Sequence, residues 1–303
     1  MECNVDCGDT CAVANGVTTG FCTVAGSIGF DGVVYCGSFM QLSDYKHIPF
    51  QVCATPLYRR SKQNGMTEKD GILLTMPIQK FTARVSETQQ LTEKYLHLHI
   101  ELVEPHRLEF TAGQYIMLSI PGTEQKKNYS IASSPTIDHA VELLIDIAPQ
   151  GIGTTYIKGL KAGDSISFMA PAGMFMISQP DTPIGNAEKS LVCIASGSGI
   201  TPIRSMILDQ LQVRRDTRPI TLYWGLRHEG DLCWLEDWEE LERSFANFTF
   251  HPILSQAGAE WTLCRGRVTD CLSIHPLPTD GGYYICGNRI MIEDTVKLVQ
   301  NKG

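Results

Sequence analysis

Three short segments of this 303-residue chain carry residue types at spacings that can do chemistry. Lys127-Asn128-Tyr129-Ser130 offers a cation, a flat ring and a hydroxyl at the end of an expected strand, a set that suits a planar heterocycle bearing phosphates. A Tyr-Ser pair on a strand is more often core plus surface, so its weight comes from two further segments downstream. Pro149 to Tyr156, with Gly151, Gly153 and Thr154, opens an expected helix whose unpaired backbone N–H groups and threonine hydroxyl suit a pyrophosphate. A plain glycine turn with a threonine cap is the other reading of the same residues. Gly197-Ser198-Gly199-Ile200-Thr201-Pro202 falls directly between an apolar run and a stretch of helical spacing, the placement in which a glycine loop admits a dinucleotide phosphate.

The elements that must position these residues change character twice along the chain. Residues 1–45 hold five acidic residues and no Lys or Arg, and six cysteines fall within the first 53 positions. This Cys-rich segment is expected to run over 1–60, followed by a turn-forming linker over 61–75. From Met76 the pattern has period two. Leu96, Leu98, Ile100 and Leu102 alternate with Tyr95, His97, His99 and Glu101, as a half-buried strand requires, which places His97 and His99 on a solvated face. Further short strands are expected at 114–120, 141–148 and 165–170, an antiparallel barrel over 76–180. Beyond it, strands at 190–195, 220–224, 248–254 and 283–286 alternate with helical stretches, as in a parallel sheet covered by helices, over 181–303. The fold class is therefore a two-domain α+β and α/β chain: an antiparallel β-barrel, then a Rossmann-like parallel sheet, after a short Cys-rich segment.

Composition narrows the partners. The 25 basic and 33 acidic residues leave a net charge of −8, which argues against a broad nucleic-acid or anionic-lipid surface. No apolar run approaches the roughly 20 residues of a membrane helix, and the first residues lack the order of a secretory signal. A cytoplasmic protein with small-molecule or protein partners is expected, with no nucleic acid and no membrane. Eleven cysteines, an odd total without a signal, speak against a secreted disulfide scaffold.

Taken together and in order, these segments resemble the ferredoxin–NADP reductase superfamily, specifically its bacterial NAD(P)H-dependent electron-transfer reductases. The resemblance covers about residues 76–303. Tyr129-Ser130 is similar to the end of the family's Arg-x-Tyr-Ser flavin motif, with Lys127 where the family usually has Arg. Gly151 to Thr154 resembles the FAD pyrophosphate loop, and Gly197 to Pro202 the nicotinamide-nucleotide loop. Leu222 to Arg227 resembles the next family strand, and Ile285-Cys286-Gly287-Asn288 the late Cys-Gly-Pro segment.

The resemblance implies an FAD held by Lys127, Tyr129, Ser130, Gly151, Gly153 and Thr154, and an NAD(P)H held by Gly197, Gly199, Thr201, Pro202, Arg227, Cys286 and Gly287. Ser130, Cys286 and Thr201 are the implied residues of the reacting centre. Lysine is a point charge and lacks the planar two-pronged contact of arginine, so either FAD binding is weaker than in the family or Lys126 shares the task. Arg227 and His228 favour a 2′-phosphate while Glu229 and Asp231 oppose it, with a lean to NADH. The implied activity passes electrons from NAD(P)H through FAD to an iron–sulfur centre or to a ferredoxin, oxygenase or dehydratase component. A non-catalytic cofactor-binding subunit, or an incomplete chain unable to turn over, is the rival.

Reductases of this family often carry a plant-type [2Fe–2S] domain with C-x4-C-x2-C spacing. Cys3, Cys7, Cys11 and Cys53 are the ligand set the resemblance implies here, but the first three fall at C-x3-C-x3-C and almost no chain precedes Cys3. A truncated or divergent ferredoxin segment and a run of free thiols both fit. The C-terminus also stops early for the family, without its terminal flavin-covering aromatic.

Overall fold

The computed structural model describes residues 77–179 and 187–302, together with the backbone of five short strands between Ala12 and Cys53. Those five are β1 (Ala12–Ala14), β2 (Val17–Thr19), β3 (Val33–Cys36), β4 (Phe39–Leu42) and β5 (Phe50–Cys53). Among the described residues β1 and β2 pair only with each other. The expected linker 61–75 and the turn 180–186 lie outside the described residues.

The barrel-like domain is built from β6 (Gln79–Gln90), β7 (Tyr95–Glu104), β8 (Tyr115–Ser119), β9 (Lys126–Ser130), β10 (Ala140–Asp146) and β11 (Ser165–Ala172), with helix α1 (Ile152–Gly159) before the last strand. Its antiparallel sheet runs in the order β10-β7-β6-β11-β8-β9. A hydrogen bond from the Ala132 N–H to the Glu142 carbonyl, 2.8 Å, brings the segment after β9 back against β10. Alternation does the positioning: Phe81, Ala83 and Val85 of β6 point inward, and Phe81 stacks on Phe168 of β11 at 5.3 Å.

The second domain alternates strand and helix: β12 (Ser190–Ser196), α2 (Ile200–Leu208), β13 (Ile220–Leu226), α3 (Leu235–Ser244), β14 (Phe248–Leu254), β15 (Cys264–Arg265), α4 (Val268–Ile274), β16 (Gly281–Cys286) and α5 (Arg289–Lys302). Both faces of the sheet are covered, which is why Ser190 to Ala195 is a continuous apolar run. Leu191, Cys193 and Ala195 face one core with Ile203, Met206 and Trp238, while Val192 and Ile194 face the other with Leu272, Ile292 and Val296. The sheet order is β15-β14-β13-β12-β16-β5-β4-β3, so β5 pairs in parallel with β16, and residues 50–53 share this sheet.

One expectation needs correction. β7 is half-buried only in its second part, where Ile100 and Leu102 are buried and Glu101 is exposed; in its first part Tyr95 is 0% exposed and His97 5%, alongside the buried Leu96 and Leu98. The face assigned to solvent is covered by the second domain, because Tyr95 and Leu144 join Phe175, Cys193, Ile203 and Trp224 in one core. His97 packs edge-on against Trp234, 5.3 Å between centroids. Period two reports one covered face; which neighbour covers the other is a tertiary fact.

Candidate functional site

A cavity of about 1290 Å³ opens where the two domains meet. That is larger than the span of a single drug-sized site and admits two extended nucleotides. Its barrel side carries Asn128, Tyr129 and Ser130 from the end of β9, and its other side the turns after β12, β13, β15 and β16. Parallel strands end on one edge of their sheet, so the topology collects these turns at a single crevice.

The turn after β12 is fixed by its own bonds. Gly197 adopts φ +55°, and its carbonyl accepts from the Trp224 indole N–H at 3.0 Å. The Thr201 hydroxyl donates to the Ser198 carbonyl at 2.7 Å, and Thr201 is 2% exposed. Its oxygen shapes the loop from within. A Cβ at Gly199 would collide with the Cys286 carbonyl and the Gly287 backbone, so glycine is needed for the loop to approach the end of β16. Gly287 lies at φ +152° and leaves no room for a side chain beside Ser196, whose hydroxyl accepts the Asn288 N–H at 2.9 Å. Cys286, 7% exposed, lines the cavity at this junction.

On the barrel side Tyr129 is half-buried, and burial pushes its hydroxyl up to about 12, so it stays a neutral donor at physiological pH. Lys94 and Asp146 pair at 3.6 Å on the same wall, a contact open enough to solvent to contribute under about 1 kcal/mol.

Of the residues singled out in the sequence, the structure brings Tyr129, Ser130, Gly197, Gly199, Thr201, Pro202, Arg227, Cys286 and Gly287 to this one cavity. Lys127, Gly151, Gly153 and Thr154 do not line it; a Cβ on Gly153 would strike the Tyr129 hydroxyl and the Lys127 side chain, which puts the start of α1 against β9. Gly151 is the N-cap of α1 and no side chain caps it, so the threonine-cap reading does not hold. Cys3, Cys7 and Cys11 lie outside the described residues; of Cys53 only the backbone is described, in register with Cys286 and Phe39. The glycine approach, the half-buried ring and the cavity's size fit an FAD and a nicotinamide nucleotide.

Sequence reasoning missed Arg267. It comes after Gly266 at the end of β15 and precedes α4, the same strand, glycine, helix grammar that marks residues 197–202, but a two-residue strand leaves almost no period to read. Lys94, Ser255 and Asp294 line the cavity without any local pattern.

Residues 82–177 match the model of the oxidoreductase FAD-binding domain, and residues 193–297 that of the oxidoreductase NAD-binding domain. The chain is 36% identical over 249 residues to the reductase component DmpP of phenol 2-monooxygenase from Pseudomonas sp., covering 80% of this chain and 68% of the relative. It is 31% identical over 293 residues to the phenol hydroxylase P5 protein of Acinetobacter pittii, covering 94% and 80%. The crystal structure of the Amycolatopsis reductase GcoB superposes with a TM-score of 0.69 at 29% identity, over 75% of this chain and 67% of that one. No helix among the described residues is long and apolar enough to cross a membrane.

Proposed function

The chain belongs to the ferredoxin reductase family of FAD- and NAD-binding oxidoreductases, and on that premise we propose that it is the reductase component of an oxygenase system, taking electrons from NADH and delivering them to a separate protein. The observation that carries this reading is the cavity's double lining: Tyr129 and Ser130 from the barrel face Gly197 to Pro202 and Cys286-Gly287 from the parallel sheet.

When bound, FAD accepts two electrons as hydride and releases them one at a time, which joins a two-electron donor to one-electron partners. The chain's own work is placement. Tyr129 supplies a face for the flavin ring, and Ser130 a hydroxyl beside its reacting edge. Gly199 and Gly287 let the loop after β12 pack against the end of β16, and Cys286, which lines the same cavity, would pack at the nicotinamide end of a bound dinucleotide. Thr201 holds the loop in shape through Ser198. Lys127 and the start of α1, with Gly151, Gly153 and Thr154, support the flavin diphosphate. The chain would need no acid–base pair here; its residues would align the two rings and exclude water.

NADH is the proposed donor because Asp231 lines the cavity near Arg227, and its carboxylate, 3.3 Å from the His228 N–H, opposes a 2′-phosphate. Phenol hydroxylases and related oxygenases supply the partner class by analogy with the relatives' names. The reading places the chain in the cytoplasm, where NADH is made. Cys3, Cys7, Cys11 and Cys53 are the residues that would hold a [2Fe–2S] centre, with a run of free thiols as the other reading of the same set.

The test is the visible spectrum of the purified protein before and after NADH in the absence of oxygen. Flavin bands that bleach on addition support the reductase; flavin that stays oxidised with NADH and with NADPH favours the binding-subunit rival. Long-wavelength absorbance beyond the flavin bands reports the cluster.

A further inference from the structure

Cys264 and Cys271 have no part in hydride chemistry, yet they flank the wall of the site. Cys264 opens the edge strand β15 and Cys271 lies in α4 seven residues later. Their Cα atoms are 6.0 Å apart, within the range a disulfide spans, and the structure joins their sulfurs. The loop so closed contains Gly266, Arg267, Val268 and Thr269, all of which line the cavity. Gly266 takes φ +101° and its N–H donates to the Leu254 carbonyl at 3.0 Å, while Asp270 accepts the Arg267 N–H at 2.7 Å. Exchange can begin at Cys264, which is partly exposed, whereas Cys271 is 1% exposed with its Sγ 3.5 Å from Nδ1 of His275.

We infer that Cys264 and Cys271 are a reversible thiol–disulfide pair that regulates nucleotide binding, the disulfide pinning the Gly266–Thr269 turn in its cavity-lining shape and the dithiol releasing it. The inference rests on the reading of this cavity as the nucleotide site. The chemistry balances with a small-molecule disulfide such as oxidised glutathione as the oxidant. The Cys264 thiolate attacks one sulfur of the oxidant and expels one small thiol; the Cys271 thiolate then attacks the Cys264 sulfur and expels the second. Two protein thiols are oxidised and one external disulfide is reduced. Ordering a wall before the ligand arrives removes part of the entropic cost of binding, so the oxidised form binds the nucleotide more tightly.

The experiment uses the full FAD-loaded chain, split between dithiothreitol and oxidised glutathione. The mass of the peptide spanning Cys264 and Cys271 reports the bond, and stopped-flow bleaching gives the KM for NADH. The expected result is a KM lower by about fivefold or more in the oxidised protein, with Cys264→Ser holding the higher value in both conditions. Cys264→Ala serves as a second variant should the serine protein lose FAD. An unchanged KM while the peptide mass shows the bond made and broken overturns the inference. So does a Cys264→Ser protein that responds like its parent, which assigns the effect to other cysteines. Stoichiometric zinc uptake by the reduced chain, lost in Cys264→Ser, also overturns it by making Cys264, Cys271 and His275 a metal site. Absence of NADH-driven bleaching in both conditions defeats the nucleotide reading itself, and this inference with it.

Discussion

The Arg204 guanidinium of α2 meets the Glu142 carboxylate of β10 at 3.1 Å, so the helix that begins at the nucleotide loop is anchored to the flavin-side sheet. The same Arg204 nitrogen donates to the Ala132 carbonyl at 3.1 Å, and the Ser205 hydroxyl donates to the Ser133 carbonyl at 2.6 Å. Ala132 and Ser133 come only a few residues after Tyr129-Ser130. One short segment of barrel and one turn of helix therefore set the separation between the two halves of the cavity. Trp234 covers the outer side, its ring 4.5 Å from the Arg204 guanidinium.

Arg204→Met keeps the aliphatic stem and removes the anchor. It is expected to retain FAD, to slow NADH-driven flavin bleaching by about tenfold through lost alignment, and to lower stability by about 2 kcal/mol because Glu142 keeps only its histidine partners. Stopped-flow bleaching and urea unfolding measure the two effects. A variant that is destabilised but bleaches at the parental rate shows that the pair holds the fold together without positioning the rings.

Glu142 also sets an acid limit. Burial pushes its carboxyl up, but His97, whose Nε2 lies 3.5 Å away, and the charges of Arg204 and His99 outweigh this and hold it at about 2, against 4.5 in the unfolded chain. A depressed carboxylate stabilises the fold above its unfolded value, and that contribution disappears as pH falls from 4.5 toward 2. Stability curves taken across that window should drop by about 2–3 kcal/mol more for the parent than for Glu142→Gln. Parallel curves for the two proteins contradict the assignment.

Gly199→Ala introduces a Cβ against the Cys286 carbonyl and the Gly287 backbone, neither of which is a flexible side-chain end. The nucleotide loop must shift away from β16. FAD content should stay at the parental level while the KM for NADH rises by about tenfold or more, near 1.4 kcal/mol of lost binding. Equal loss of flavin and nucleotide binding points instead to a misfolded chain.

Glu188 gives the opposite pH signature. It is 2% exposed, and burial raises its carboxyl to about 7 even though the Tyr284 hydroxyl donates to it at 2.8 Å and Arg218 lies 3.7 Å away. A raised folded value means that the neutral form is favoured by folding, so this contribution is complete below 4.5 and is lost as pH climbs through 7. Glu188→Gln keeps an acceptor for Tyr284 without the charge, and should be more stable than the parent at about pH 8 by about 2 kcal/mol while matching it near about pH 4.5. Thermal unfolding at the two pH values decides it; a variant weaker in the alkaline sample means that the ionised carboxylate is the stabilising form.

Much of the site was legible because its chemistry is local. A glycine loop between a buried strand and a helix can be read from residues 190–213 alone, since the hydrophobic period changes at the loop itself; α2 begins at Ile200, after the short 3-10 turn Gly197–Gly199. Tyr129-Ser130 and Cys286-Gly287 were found by order along the chain, and both lie at strand ends, as the strand registers show.

What sequence could not settle is which surfaces meet. The alternation through His97 and His99 is that of a strand with one wet face, and no property of β7 itself announces that α2 and Trp234 will cover that face and turn His97 into a partner of Glu142. Thr201 reads as a hydroxyl facing ligand, but the tight turn spends that hydroxyl on Ser198. Arg267 joins the cavity only because parallel strands deliver successive turns to one edge of the sheet. Sequence determined the order of the elements and the local chemistry at their ends, because propensity, period and glycine geometry act over a few residues. The tertiary structure alone decided the pairing of the two domains, because contacts between distant segments depend on how two covered faces pack, which no local pattern encodes.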